Sequence, residues 1–566
     1  MQNNIIFWIM LISGKRMCDI FFSWETVLVM FSLGYFLLPS LPFTPCRHAG
    51  GQGEPCSPRE ETSSSPRGAS GINLYSRLAI SSPGEASWVI PVKSIRECRR
   101  FSNSVRRITV GKPRSYSTDS ASFGRHLTKE YPNIVGGKGK FLFTSDSRKI
   151  FDASSGAAVS CLGHGNKRIN MAIRKQLKTG TTYLASTFWV SAVVEELCNK
   201  LIEGTEGKMA RVYLTGSGSE AMEAAIKLAR QYFYEIDKNT VRVNFIAREG
   251  SYHGNTIGAL AISGHLARRA PYTPLLMKNV YHISSCNPYR QRKEGESDAA
   301  FVARKAAELE AKFQELGPET VIGFIAEPVV GAALGCVPYV PGYLKAMRDV
   351  CHKYGALFIL DEVMCGMGRT GTLHAWQAEN IVPDIQTMGK GLGAGYQPIA
   401  AMMISPKIVN VVKEGSGQFI HGQTYQSMPI QAAAALEVLR IIQEDNLLDN
   451  VTKLGVYFEQ ALKAVLGDHP NVGNIRGQGL FLGIEFVKAK ESKEPFHLNM
   501  GIASKILDMA ISPQFNMTVY PGTGTVDGVH GDHIILAPPY IITKKDVDHI
   551  IKVVSSVVHL VFNHIK

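Results

Sequence analysis

LFILDEVMCGMGRTGTLHAWQAENIVPDIQTMGKGLGAG, residues 357–395, decides how the rest of the chain is read. Its first four residues form an apolar run too short for an independent helix and bounded like a buried strand. That run ends on an acidic pair, Asp361 and Glu362. A second short run, 384–388, delivers Lys390 into a glycine-rich turn, GKGLGAG. Open α/β sheets hold ligands in the crevice beyond the carboxyl ends of their strands. Two strand ends therefore offer a carboxylate and an amine to one crevice. A lysine amine forms a Schiff base with an aldehyde cofactor such as pyridoxal phosphate. A carboxylate held against the pyridine nitrogen keeps that ring protonated and able to accept electrons. Glycines around Lys390 let backbone come close to a ligand. The bland alternative makes Asp361 a cap and Lys390 a surface lysine, and their joint placement argues against it.

LFILDEVMCGMGRTG followed by QTMGKGLGAGYQPIAAMM resembles the class III aminotransferases, pyridoxal-phosphate enzymes of fold type I. Matching segments run from about Lys138 to the C-terminus. The resemblance implies a large, mostly parallel α/β/α domain and a smaller α+β C-terminal domain. It implies transfer of an amino group from an amine or ω-amino acid donor to a keto-acid acceptor. Lys390, Asp361 and Tyr252 form the implied catalytic set, and Val363 joins the implied cofactor-binding set. The expected organisation is an N-terminal extension (1–125), an N-terminal segment of the catalytic fold (126–180), a large cofactor domain (181–429) and a small domain (430–566).

Other stretches fit that outline. Residues 133–151 carry apolar runs, glycines and a Ser-Asp-Ser-Arg turn, which predicts a hairpin. Residues 166–177 read as an amphipathic helix. Tyr183, Phe188 and Trp189 are candidate pocket-wall aromatics, with core packing as the alternative. RVYLTGSGSEAMEAAIKLAR, 211–230, reads as a strand, a Gly/Ser turn and an alanine-rich helix starting near Ser219. A helix start offers free N–H groups and the positive end of the dipole to an anion. Ser217 and Ser219 add hydroxyl donors, and the resemblance puts the cofactor phosphate on Gly218 and Ser219. The alternative is simple capping by Ser219, an effect of about 1 kcal/mol. Residues 243–248 form a strand opening into EGSYHG, where the resemblance gives Tyr252 the place against the pyridine ring and sets His253 beside it. Residues 298–316 read as a helix with a solvated face. Glu327 ends the strand beginning at Val321 and lies near the cofactor in the resembled family, although Pro328 departs from that family's pattern. Alternating strands and helices across this region predict a mostly parallel sheet. The resemblance assigns Thr424, in HGQTYQSMP, to the phosphate held by a partner subunit, and so implies a homodimer with shared sites.

The chain has 566 residues, enough for about three to four domains. Its net charge of +13 does not point to nucleic acid, because much of the excess lies before Arg125 and no binding motif accompanies it. The 10 cysteines show no CxxC pair or zinc spacing, and no HExxH occurs, so no metal site is expected. Scattered cysteines favour free thiols in a reducing compartment. Residues 26–43 are apolar and uncharged but contain Pro39 and Pro42, at the lower length limit for a membrane anchor. Residues 46–87 have a linker composition. Residues 93–127 are rich in Arg and Ser and nearly free of acids, the pattern of a mitochondrial transit peptide. A disordered basic tail on a cytoplasmic protein is the alternative.

Substrate is less legible. Family members that grip an α-carboxylate use an arginine at the place of Ile535, and ω-amine members use one at the place of Gly528. Neither arginine is present, which leaves Arg369 and His530 as candidates for carboxylate capture. Decarboxylation, lyase chemistry, amino-group migration and a non-catalytic relative are the alternatives to transamination.

Overall fold

In the computed structural model seven strands form one sheet: β1 (Arg211–Thr215), β2 (Asn244–Arg248), β3 (Val280–Ile283), β4 (Val321–Ala326), β5 (Leu357–Asp361), β6 (Ile385–Met388) and β7 (Ala400–Ile404). Their order is β1-β7-β6-β5-β4-β2-β3. All neighbours from β6 to β3 pair in parallel, and only β7 runs against its two neighbours, β6 and β1. β5 is buried along its whole length. Leu357 and Ile359 join one core layer with Met222 and Ala225, while Phe358 and Leu360 join the other with Phe301, Leu344 and Met347. A strand covered on both faces must be apolar at every position, which is why residues 357–360 show no alternation.

The structure describes residues 121–565 and two short strands, Ile6–Trp8 and Asp19–Phe21, which pair antiparallel in a unit of their own. The apolar segment 26–43, the linker 46–87 and the Arg/Ser-rich segment up to residue 120 lie outside the described residues. Among the described residues no helix is long and apolar enough to cross a membrane.

Helix α1 (Gly218–Ile236) lies on the sheet against β6 and β7, with Ala221, Ala224, Ala225 and Ala229 buried, so that small side chains allow close approach. Ser217, not Ser219, caps it: the Ser217 hydroxyl accepts the Glu220 N–H. Helices α2 (Asp298–Leu316) and α3 (Tyr343–Lys353) cover the opposite face. The face of α2 is less solvated than its charges suggest, because Lys305 is buried and donates to Gln291 Oε1 at 2.7 Å.

The small domain has an antiparallel sheet in the order Val472–Gly477, Leu482–Phe486, Asp532–Leu536, Tyr520–Thr523, packed with helices Leu447–Leu466, Ile502–Ile511 and Lys544–Asn563. The expected N-terminal hairpin is present as Ile134–Lys138 and Phe141–Thr144, followed by Lys149–Asp152. Met517–Thr518 adds to Lys149–Asp152 in parallel. Phe151, Leu162 and Ile169 share a core with Phe458, Val472 and Phe562, so the two ends of the described chain pack as one layer. The expected helix at 166–177 is Lys167–Leu177, capped by the Asn166 side chain.

Tyr183, Phe188 and Trp189 neither line the cavity around Lys390 nor fill a core within the chain; they are 45%, 76% and 64% exposed. Arg369 is fully buried and clamps the two domains together. One guanidinium nitrogen donates to Leu480 O at 3.1 Å and Pro538 O at 2.6 Å, and the group sits 4.6 Å over the Tyr540 ring. Nε and Nη2 are buried without a partner, but Arg369 does not line the cavity around Lys390, so its contacts are those of a structural residue.

Arg369→Met removes the donor to two buried carbonyls, each costing about 1–3 kcal/mol when left unpaired. Denaturant unfolding is expected to show the variant destabilised by about 2–6 kcal/mol. A change within experimental error would contradict the clamp.

Candidate active site

The carboxyl ends of β1, β2, β4, β5 and β6 open into one cavity of about 500 Å³, within the range of small-molecule sites. Each end contributes through the turn that follows it. β1 gives Gly216, Ser217, Gly218 and Ser219; β2 gives Tyr252, His253 and Gly254; β4 gives Glu327; β5 gives Asp361 and Val363; β6 gives Lys390. Nine of the sequence-predicted site residues are thus brought together: Ser217, Gly218, Ser219, Tyr252, His253, Glu327, Asp361, Val363 and Lys390. Thr424 does not reach the cavity of its own chain and is exposed.

Asp361 is held from several sides. His253 Nδ1 lies 2.8 Å from its Oδ2, while Oδ1 accepts the Val363 N–H at 2.9 Å and the Thr387 hydroxyl at 3.3 Å. The His253 backbone N–H donates to the Ser263 hydroxyl at 2.8 Å, which fixes the loop. His253 Nε2 is buried without a partner. Glu327 ties the same loop down: its carboxyl oxygens accept the Tyr252 N–H at 3.0 Å and the Gly331 N–H at 3.2 Å. Burial pushes the Glu327 carboxyl above the usual range. Its part is therefore to anchor the loop as well as to line the cavity.

Lys390 is half-buried in the cavity wall, and none of the ion pairs of the described residues includes it. Burial pushes its amine down from 10.5 to about 8, against the opposing pull of Asp361 and Glu327. The residue adopts φ +43° in the left-handed region at the start of a short 3₁₀ turn, Lys390–Leu392. At the other end of the cavity lies the start of α1. Gly218 is required there, since a Cβ would come within 2.6 Å of Val363 Cγ1. The Ser217 hydroxyl accepts from Glu220 and the Ser219 hydroxyl accepts from Asn255, so each keeps its own proton to donate. A phosphorylated pyridine aldehyde fits this donor set: an anion cradle, an acid, an amine, and an unpartnered imidazole nitrogen.

Sequence reasoning missed Gln397, Pro398 and Ile399, which also line the cavity. They precede the antiparallel strand β7, whose amino end lies beside the carboxyl ends of its neighbours. Val159, Ala332 and Met364 were missed as well, being apolar residues with no chemical signature. His530 is exposed and paired with Asp527 at 2.8 Å, away from the cavity.

A sequence model of the family "Aminotransferase class-III" matches residues 125–558. The chain is 49% identical over 446 residues to an aminotransferase of Gibberella zeae, covering 77% of this chain and 87% of that protein. It is 34% identical over 440 residues to gamma aminobutyrate transaminase 3, chloroplastic, of Solanum lycopersicum, covering 76% and 81%. The fold matches the omega transaminase from Pseudomonas jessenii in complex with PMP at a TM-score of 0.71 and 30% identity, covering 77% and 93%. The family match runs through every strand end that reaches the cavity, and the chain therefore belongs to the class III aminotransferases, pyridoxal-phosphate-dependent enzymes that move an amino group between an amine and a keto acid.

Proposed function

We propose that Lys390 is the lysine that attaches pyridoxal phosphate, and that the cavity around it takes the amino group of an amine or ω-amino acid and passes it to a keto acid. The observation that carries this reading is the half-buried Lys390 in the same cavity wall as Asp361, its amine lowered to about 8 by partial desolvation. When bound, the cofactor supplies an electron sink for the pair left behind as the substrate carbon loses a proton.

The protein's own part follows from the geometry. Asp361 faces the cavity with a carboxylate whose orientation is fixed by His253, Val363 and Thr387, which suits it to hold a ring nitrogen protonated. The N–H groups of Gly218 and Ser219 and the hydroxyls of Ser217 and Ser219 face the cavity as phosphate donors. Tyr252 and Val363 both line the cavity, as walls for a planar ring. Lys390 in its neutral form accepts a proton from the substrate carbon at Nζ, and as the ammonium it returns one.

A homodimer completes the reading. Tyr183 and Tyr425 rings meet edge to face at 6.4 Å, and the Gln426 amide donates to Ser186 at the same junction. Phe188, Trp189, Ile420 and Tyr425 form an exposed apolar surface around exposed Thr424. A second copy covering that surface supports Thr424 as a phosphate ligand in the partner's cavity. The Arg/Ser-rich residues 93–127 support import into mitochondria with removal of the extension.

An amine-donor screen with pyruvate and 2-oxoglutarate is expected to give turnover with the wild type and none with Lys390→Ala, which also fails to retain the cofactor covalently. Cofactor uptake by the apoenzyme needs the neutral amine. Its depressed value makes uptake rise with pH through a midpoint of about 8, and a midpoint near that of an ordinary lysine would refute the desolvated-amine account.

Light scattering is expected to give a mass of two chains for the wild type, and Trp189→Glu to shift it toward one with weaker cofactor retention. A monomeric wild type that holds its cofactor would rule out the shared site. N-terminal sequencing of the mature protein from its native cell is expected to start within or just after residues 93–127; an intact earlier start would end the import reading.

A further inference from the structure

We propose that Arg268 binds the carboxylate of an ω-amino acid substrate and thereby sets which amines the enzyme prefers. This rests on the transaminase reading of the Lys390 cavity. Arg268 stands on the short helix Leu266–Arg269, and its guanidinium carbon lies 4.4 Å from the centre of the Tyr252 ring. Tyr252 lines the cavity. Among the described residues the Arg268 side chain has no ion pair or hydrogen bond, its backbone N–H alone donating to His265 O at 3.2 Å. Of the other guanidiniums, Arg248 donates to the Glu327 carbonyl, Arg369 to Leu480 and Pro538, and Arg476 to Glu485 at 2.6 Å, while that of Arg269, without a partner among the described residues, lines a different cavity with Gly528 and Asp527.

Stacking on a tyrosine uses the face of the guanidinium and leaves the N–H groups along its edge available. Those groups form the planar fork that takes a carboxylate through two parallel hydrogen bonds. The charge of Arg268 is felt inside the cavity, since it is one of the groups that lower the Lys390 amine. The wall that holds Lys390 also carries Asp361 and Glu327, which disfavour a second carboxylate there. The cradle at Ser217–Ser219 is taken by phosphate once the cofactor is bound. An unpaired cation at Tyr252 is thus the place where a substrate anion is favoured. Arg268 is not part of the wall around Lys390, so a carboxylate held by it is several bonds from the reacting amine. That spacing selects an ω-amino acid over an α-amino acid.

The test uses the holoenzyme with 5-aminopentanoate, 2-aminopentanoate and pentylamine as donors, and pentanoate as a non-reacting ligand followed by calorimetry. Arg268→Met is expected to lower the kcat/KM ratio of 5-aminopentanoate to pentylamine by about ten- to a hundred-fold, the range for a hydrogen-bonded charge. Pentanoate binding weakens by a similar factor. Arg268→Lys, which keeps the charge and loses the fork, gives a smaller loss of both. An unchanged ratio, an equal loss for pentylamine, or an equal loss for 2-aminopentanoate would overturn the assignment. A wild type that accepts no donor with either keto acid defeats the transaminase reading instead, and pentanoate binding to wild type and Arg268→Met still decides the role of Arg268.

Discussion

The catalytic arrangement depends on partly desolvating one amine. Lys390 is half-buried just beyond the end of β6, in a left-handed backbone conformation that costs a non-glycine residue about 1–2 kcal/mol. Burial alone would strip its charge, and close pairing with an acid would lock the charge on. The fold takes a middle course. Asp361 is near enough to attract the ammonium, yet its oxygens are already engaged by His253, Val363 and Thr387. Glu327 is likewise occupied by the amides of Tyr252 and Gly331. Both acids temper the loss of charge without forming an ion pair, and the amine is left able to exchange its proton.

Sheet topology makes this possible. Parallel neighbours β2, β4, β5 and β6 end on the same side, so the four turns that carry Tyr252, Glu327, Asp361 and Lys390 converge without any long loop. β1 lies beyond β7, yet two successive antiparallel pairings return it to the same direction, and its turn also faces the cavity. The arrangement is steadied from outside by Arg369, which ties the turn after β5 to the small domain.

Much of this was legible because the chemistry sits beside short apolar runs. A buried strand followed by an acid, or by lysine among glycines, is a local pattern, and residues 357–395 hold two of them. The Gly-Ser turn before α1 is local too, although which serine caps the helix depended on backbone geometry that composition does not specify. The remainder depends on contacts between distant segments. Met517 pairs with Phe151, and Phe151 packs with residues of the last helix. No periodicity in either segment encodes such a partner. Gln397–Ile399 reach the cavity only because β7 runs antiparallel, a fact of sheet order and not of residue type. Arg269 and Arg268 are adjacent in sequence, and only the fold sets the second over Tyr252.

Charge along the cavity is graded, and the gradient gives the substrate a direction. The start of α1 is an anion cradle, Asp361 and Glu327 put acid close enough to act on Lys390, and Arg268 adds positive charge at Tyr252. An amine entering alone finds the acidic centre attractive from any approach. A molecule with an amine at one end and a carboxylate at the other has one favourable orientation: the amine goes inward to Lys390, and the carboxylate stays outward where the acids do not oppose it. Water-excluding walls at Val159, Ala332 and Met364 strengthen that preference, because charge interactions gain as the local dielectric falls. Orientation is thus set by where the acids are as much as by where the guanidinium is, and the same acids that tune Lys390 also sort the two ends of the substrate.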